Sequence, residues 1–409
     1  MNILIVSKQP YPNGVASTNR IHLYAKGMVQ SGHKVHVVVA IPPYDNQKFK
    51  NFEIKGIHEG VTYAYTSGTT LRPVTFLQRR FYDLKGLLMA MKLVITKKNQ
   101  WDALILVETS PVQIVLFKLV CWLKKVVFLT ECNEYPFWSK GKVIRKPIFE
   151  WIYYQLIMPL YDGILPISHN LYQLYNGLLG NKVMYKVIPV LVDTREFNSK
   201  ENPKIKSDYI AYTGNLSDSK DGMSNQIRAF ANALETYPDL KFVIIGKPQF
   251  EKHFQKVQQL IKELNIQDKV IFTGYVSRGD LINYLIHAKA LTLFKPKGIQ
   301  SDYCFPSKIA EYLASARPVV TTATGELINC LQHQENAYLS SPEDENAFAN
   351  NLIQALSNDK VSDRIGENGR DLAQQNFEYS NQSKAIIDFI IKIQNLKRIK
   401  TFKKKAAKV

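Results

Sequence analysis

The stretch Phe305-Pro306-Ser307-Lys308-Ile309-Ala310-Glu311-Tyr312-Leu313-Ala314-Ser315-Ala316-Arg317-Pro318-Val319-Val320 reads as loop, helix, short turn and strand. Pro306 suits the first turn of a helix, where its missing N–H costs nothing. Ile309, Tyr312, Leu313 and Ala316 recur at helical spacing, and Glu311 falls off that stripe. Pro318 blocks continuation of the helix, and Val319-Val320 opens a strand. A helix N-terminus that opens from a loop favours anions, because its unpaired N–H groups and dipole point outward. A carboxylate one turn further in is placed to accept hydrogen bonds from ribose hydroxyls. The plain alternative is a surface helix with a solvated Glu311.

Outward from this segment the same grammar repeats. Asn2–Ser7 is an apolar strand, a helix runs from about Ser17 to Ser31 with Gly32 as its stop, and His33–Val39 is the next strand. Such a βαβ unit implies a parallel sheet. Further strands are expected at Ala103–Val107, Val126–Thr130, Gly163–Pro166 and Val187–Pro189. The second half offers Tyr209–Gly214, Lys241–Gly246, Val270–Thr273, Ala290–Phe294 and Pro318–Thr321, with helices between. Thr194–Ser207, rich in Asn, Lys, Ser and Pro, reads as a linker. The expectation is an α/β chain of two doubly wound domains, 1–197 and 198–380, with the ligand in a cleft between them. A last helix at about 381–396 leads into a basic tail reaching 409.

The 409 residues suffice for two domains of about 200 each. Apolar content of 45% and charged content of 22% are ordinary for a globular protein. The longest apolar region, Val112 to Leu129, is broken by Lys118, Lys124 and Lys125, and reads as a buried helix followed by a strand. No leader is visible at Met1–Val6, and the four cysteines have no Cys-x-x-Cys spacing, so a reducing cytoplasm is expected and a zinc site or disulfide frame is not. Net charge is +18. Residues 1–197 hold 24 Lys/Arg against 12 Asp/Glu, residues 198–391 hold 21 against 23, and residues 392–409 hold 8 against none. Basic character therefore sits in the first half and the tail, suited to nucleic acid, anionic lipid or a phosphorylated substrate. No nucleic-acid-binding motif accompanies it. A dinucleotide site would need Gly-x-Gly-x-x-Gly after the first strand, and only Gly14 stands there, so NAD and FAD are disfavoured.

The segment around Glu311 resembles the nucleotide-sugar motif of family 4 glycosyltransferases, which have the GT-B fold of two Rossmann-like domains facing a central cleft. Members carry a pair of glutamates; Glu311 matches the second, and Tyr303 occupies the place of the first. Ala316 or Arg317 stands where a turn glycine is usual. Thr213–Gly222 resembles the family's Gly-Arg-Leu…Lys-Gly segment: Lys220 matches the lysine and Asn215 replaces the arginine, with Lys295 or Lys297 able to compensate. The resemblance implies donor contacts from Gly14, Gly214, Asn215, Lys220, Gly274, Tyr275, Val276, Tyr303, Cys304, Phe305, Pro306, Ser307, Lys308 and Glu311. It implies acceptor contacts from Asn19 and Arg20. Glu131, Asn133 and Glu134, at the end of a first-domain strand, are candidate catalytic groups with Lys220, and a capping role is equally open for the carboxylates.

The expected function is a retaining transfer from a UDP- or GDP-linked sugar to a glycan or lipid-linked acceptor in cell-surface polysaccharide synthesis. No cofactor or metal is expected, since helix N-termini and Lys220 would stabilise the leaving diphosphate. Basic pairs Arg79-Arg80, Lys97-Lys98 and Lys124-Lys125, and Lys140 to Lys146, near Phe137, Trp138, Phe149, Trp151, Tyr153 and Tyr154, suggest an anionic membrane surface, on the inner face of the cell membrane. Three other readings stay open: an epimerase-like GT-B protein, an inactive binding subunit (from Tyr303), and a basic nucleic-acid-binding protein.

Overall fold

The computed structural model describes residues 1–44, 49–96, 101–107, 110–135, 147–248 and 250–406. The chain divides into two units, residues 1–191 with 379–409 and residues 192–378. The division falls a few residues before the expected linker.

The first unit holds an eight-stranded sheet. Its strands are β1 (Asn2–Ser7), β2 (Lys34–Val39), β3 (Lys55–His58), β4 (Val61–Tyr65), β5 (Ala103–Val107), β6 (Val127–Cys132), β7 (Gly163–Pro166) and β8 (Met184–Tyr185). They lie in the order β3-β4-β2-β1-β5-β6-β7-β8. Only β3 is antiparallel, hairpinned to β4 through Glu59 and Gly60. Both turn residues have positive φ, 46° and 82°, as a two-residue hairpin of this hand requires. The remaining pairs are parallel and joined by helices, and β1, β2 and β5 are nearly all buried because helices cover both faces.

Val187–Pro189 forms no strand. Ile188 still donates to the Pro166 carbonyl at 3.0 Å, but Pro189 has no N–H to extend the ladder, and β8 pairs with β7 instead. The helix Tyr379–Ala406 belongs to this unit: Ser383 donates to the Tyr24 carbonyl at 3.0 Å, and Ile386, Phe389, Ile390 and Ile393 join the core.

The second unit holds six parallel strands: β9 (Tyr209–Thr213), β10 (Lys241–Ile245), β11 (Val270–Gly274), β12 (Ala290–Leu293), β13 (Val319–Thr322) and β14 (Tyr338–Ser340). Their order is β11-β10-β9-β12-β13-β14. The chain winds one way from β9 and then the other way from β12. Their carboxyl ends flank the switch point where such sheets bind ligands. With the first sheet, this is the α/β, two-parallel-sheet architecture expected from the sequence.

Candidate functional site

Three adjacent strands of the second unit end in glycine. Gly214 follows β9, Gly246 follows β10 and Gly274 closes β11, all with positive φ. They are close enough to exclude side chains: a Cβ on Gly246 would lie 2.4 Å from the Gly214 carbonyl oxygen. Gly214 donates to the Ile245 carbonyl and Gly246 to that of Gly274, each at 2.9 Å. A Cβ on Gly214 would meet Lys308 Nζ at 2.6 Å and Tyr212 Oη at 2.7 Å. The glycine thus keeps the space beside these two groups open.

Lys308 opens a seven-residue helix, Lys308–Ala314, two residues later than Pro306 suggested. Ile309, Tyr312 and Leu313 are fully buried, as their spacing predicts, and the Tyr312 hydroxyl accepts from the Thr213 N–H at 2.7 Å. This seating aims Lys308 at the switch point. Its ammonium donates to Asp221 Oδ2 at 2.6 Å and lies 4.6 Å from the centre of the Tyr212 ring. Lys295, just beyond β12, donates to Asp221 Oδ1 at 3.2 Å and to the Lys220 carbonyl. Tyr212 Oη stands 2.6 Å from Asp221 Oδ2. Two ammonium groups thus surround one carboxylate, leaving a net positive charge. Burial pushes the Asp221 carboxyl up, but Lys308 and Lys295 outweigh it and hold the group at about 2. Burial lowers Lys308, with Asp221 pulling the other way.

Glu311, one turn on, accepts at Oε1 from Arg278 Nη1. Arg278 also donates to Glu196 Oε2 at 3.0 and 2.7 Å. Burial lowers the Arg278 pKa, and Glu311 and Glu196 raise it further still, so it is a permanent cation. Its clamp orients Glu311, whose second oxygen has no partner among the described residues.

The predicted donor residues separate on this frame. Gly214, Lys308 and Glu311 come together at the switch-point end of the sheet, and Gly274 lies along the same edge. Asn215 is exposed, and its carbonyl lies 2.7 Å from Tyr212 Oη. Lys220 supplies a carbonyl to Lys295, but its ammonium has no partner among the described residues, so Lys295 rather than Lys220 carries charge into the cluster. Tyr275 is exposed with Lys247 5.8 Å from its ring centre, and Val276 is half-buried beside it. Tyr303 ends a short helix, Ile299–Tyr303, and Cys304 is half-buried. Pro306 is half-buried and Ser307 exposed. Phe305 is a core residue, packed edge-on against Phe377 at 5.4 Å. Asp221 lies within the Thr213–Gly222 segment but has no role assigned from sequence, and Arg278 and Glu196 are not marked by it at all. No local pattern marks them, since their meaning lies in contacts across 87 and 33 positions.

The first-unit predictions resolve differently. Gly14 is required by its neighbours: a Cβ there would lie 2.1 Å from Thr18 Oγ1, which donates to the Pro10 carbonyl. Arg20, expected to face an acceptor phosphate, is buried. It donates to Glu131 Oε2 at 3.1 Å, to the Ile188 carbonyl at 2.7 Å and to the Pro189 carbonyl at 2.5 Å. Glu131, expected as a catalytic base, is therefore tied to Arg20, with Oε1 enclosed and unpartnered among the described residues. Asn19 is half-buried and Glu134 exposed, and neither side chain has a partner among the described residues. Asn133 is half-buried with an enclosed Oδ1. Asn19 and Glu134 retain a free reactive or binding edge. Lys97-Lys98 and residues 137 to 146 of the basic aromatic cluster lie outside the described residues.

Among the described residues one group could hold a metal: His22, His58 and Glu59, with ligand atoms within 4.8 Å of one another. Glu59 there already accepts from His22 at 2.6 Å and from Lys26 at 3.2 Å, which accounts for the cluster as a hydrogen-bonded link.

Residues 193–372 match the family model of the glycosyl transferases group 1. Among curated proteins, the N-acetyl-alpha-D-glucosaminyl L-malate synthase of Bacillus anthracis is 23% identical over 224 residues, 53% of this chain and 56% of that protein. The aligned region thus spans little more than half of that relative. Among solved structures, sucrose-phosphate synthase from Thermosynechococcus elongatus superposes with a TM-score of 0.72 at 16% identity, over 96% of this chain and 98% of that one. Anabaena HepE in complex with UDP superposes at 0.69 and 14%, over 96% and 100%. Over residues 193–372, then, the chain resembles the glycosyl transferases group 1 family, and its fold is GT-B.

Proposed function

We propose that this protein transfers a sugar from a nucleoside-diphosphate donor, UDP-linked in the first instance, to a glycan or lipid-linked acceptor in cell-surface polysaccharide synthesis. The observation that carries this is the pair Lys308 and Lys295 gathered on Asp221 at the switch point beside Gly214. A diphosphate leaving group develops negative charge, and preorganised ammonium groups in a partly buried site stabilise that charge without reorganising. Glu311, clamped by Arg278, offers its free oxygen to ribose hydroxyls. The edge formed by Gly274, Tyr275 and Val276 receives the base. The UDP bound in the HepE structure supports the choice of base.

Asn19 and Glu134 are the acceptor-side groups that keep a free edge. The reaction proceeds with retention through donor-phosphate assistance, because no nucleophile accompanies the cluster among the described residues. The lysines take the charge that a metal would otherwise bear. A basic first half favours an acceptor at an anionic membrane, reached from the inner face. A second reading, binding of the nucleotide sugar without transfer, is favoured by Tyr303 in the place of a family glutamate.

The test is calorimetric binding of UDP, GDP and ADP in EDTA and in Mg²⁺, followed by a donor screen for release of the diphosphate. Tight binding of one nucleotide in EDTA, lost in Lys308→Ala, supports the reading. Absence of binding by all three would remove it. Binding without turnover across donors and acceptors would select the non-catalytic reading.

A further inference from the structure

The helix Phe76–Ile95 packs with the wrong face outward for a soluble surface. Its buried positions are Gly86, Ala90 and Val94. A Cβ on Gly86 would lie 1.9 Å from the Ala40 carbonyl oxygen, so the helix is seated by small residues at backbone contact. The opposite face carries Leu77, Phe81, Leu84, Leu88 and Ile95, one apolar stripe at helical spacing, and all are exposed; Leu77 is 79% exposed. The adjoining helix Pro111–Lys124 carries apolar side chains on both its buried and its outward face. Ile114, Phe117, Val120 and Cys121 are buried, while Val112, Val115, Leu119, Trp122 and Leu123 face out. The sequence predicted this helix to be buried; half of it is not. Phe149 and Trp151, on the short helix Pro147–Ile152 of the same unit, are exposed as well. Soluble monomers rarely expose contiguous apolar patches beyond roughly a few hundred Å² without using them.

We propose that this double-helix face inserts into the headgroup region of an anionic lipid bilayer. The choice of occupant follows from charge. Arg80 flanks the stripe on one side, 5.3 Å over the Phe76 ring, and Lys85 and Lys92 flank it on the other. Lys124 and Lys125 end the second helix, both exposed. The single acid of the long helix, Asp83, is bound by Arg72 at 3.0 Å. A second copy of this chain would set cationic rim against cationic rim, whereas an anionic surface neutralises both. Long basic side chains at the margin of an apolar face reach headgroups while their stems stay in the interface. Among the described residues no helix is long and apolar enough to cross a membrane, so the face lies on the bilayer rather than spanning it. The inference rests on the membrane-borne acceptor proposed above and names the surface that would reach it.

The test is flotation of the full chain with vesicles of phosphatidylcholine and phosphatidylglycerol (7:3) and with phosphatidylcholine alone. It compares wild type with Leu77→Glu/Leu84→Glu and with Trp122→Glu. These positions are exposed, and UDP binding checks that each variant is folded. Wild type is expected to float with the anionic vesicles and to bind neutral ones at least tenfold more weakly. Each variant is expected to lose at least tenfold in vesicle affinity. Equal flotation of wild type and variants overturns the inference, as does wild type that ignores vesicles. So does a dimer, seen by light scattering, that the variants dissolve. Vesicle failure with UDP binding intact would leave the transferase reading standing. Loss of UDP binding with flotation intact would do the reverse.

Discussion

The Lys308 ammonium lies 2.6 Å from the Asp221 carboxylate, across 87 positions of sequence, with Lys295 on the other carboxylate oxygen at 3.2 Å. Removing the carboxylate leaves two buried ammonium groups facing each other. Asp221→Asn is expected to cost about 3 kcal/mol, the range for breaking a buried pair from one side. Asp221→Asn with Lys295→Met should recover part of that loss. Urea unfolding of the two variants checks both. The pH dependence follows in sign. The folded carboxyl titrates at about 2, below its ordinary 3.8, so its contribution is fully present above the unfolded value. It is lost as pH falls from about 4 through about 2, a change of about 2 kcal/mol. Acid unfolding of Asp221→Asn should lack this component.

Glu311 and Arg278 separate recognition from orientation. Glu311→Ala is expected to weaken UDP binding at least tenfold, about 1.4 kcal/mol, by removing the ribose acceptor. Arg278→Met leaves the carboxylate but frees it, and should weaken binding by a smaller factor. Calorimetry on both orders the effects. Equal affinity for wild type and Glu311→Ala would take Glu311 out of the site.

Arg20 and Glu131 form a buried ion pair in the first unit. Glu131→Gln is expected to destabilise by about 3 kcal/mol, because Arg20 keeps its charge. Arg20→Met with Glu131→Gln should lose less than the single losses added together. The pH profile of kcat in Glu131→Gln should match wild type, whereas a catalytic base would take one limb of the profile with it.

Ala316 has φ of 57°, in the left-handed region that favours glycine. A side chain there costs about 1–2 kcal/mol, and glycine loses up to about 1 kcal/mol to the freedom of the unfolded chain. Ala316→Gly is therefore expected to stabilise by about 0.5 kcal/mol, raising Tm by about 1–2 °C, visible by calorimetric scanning.

Most strands were legible because their apolar runs are local. Asn2–Ser7, Ala103–Val107 and Gly163–Pro166 form as expected, and five of the six second-unit strands differ by a residue at their ends, whereas the short β14 (Tyr338–Ser340) was not read. The hairpin Lys55–Tyr65 was not read, because its turn is Glu59-Gly60 rather than the Asn-Gly or Asp-Gly that announces such turns. Lys308 and Glu311 were legible together since one helix carries both. Lys220 was read as the charged lysine of its segment, yet Lys295 carries charge into the cluster, because the end of β12 lies beside the end of β9 only in the folded sheet.

By itself the sequence determined the periodicities: the βα alternation, the helix that ends before Pro318, the glycines at strand ends and the basic first half. Each depends on neighbours a few residues away. Tertiary structure decided which distant groups converge and which apolar stripe faces out. Hydrophobic spacing says that a helix has an apolar face, but only packing says whether that face is covered. Gly86 and Ala90 win the core contact through backbone approach, and Leu77, Phe81 and Leu84 are left at the surface.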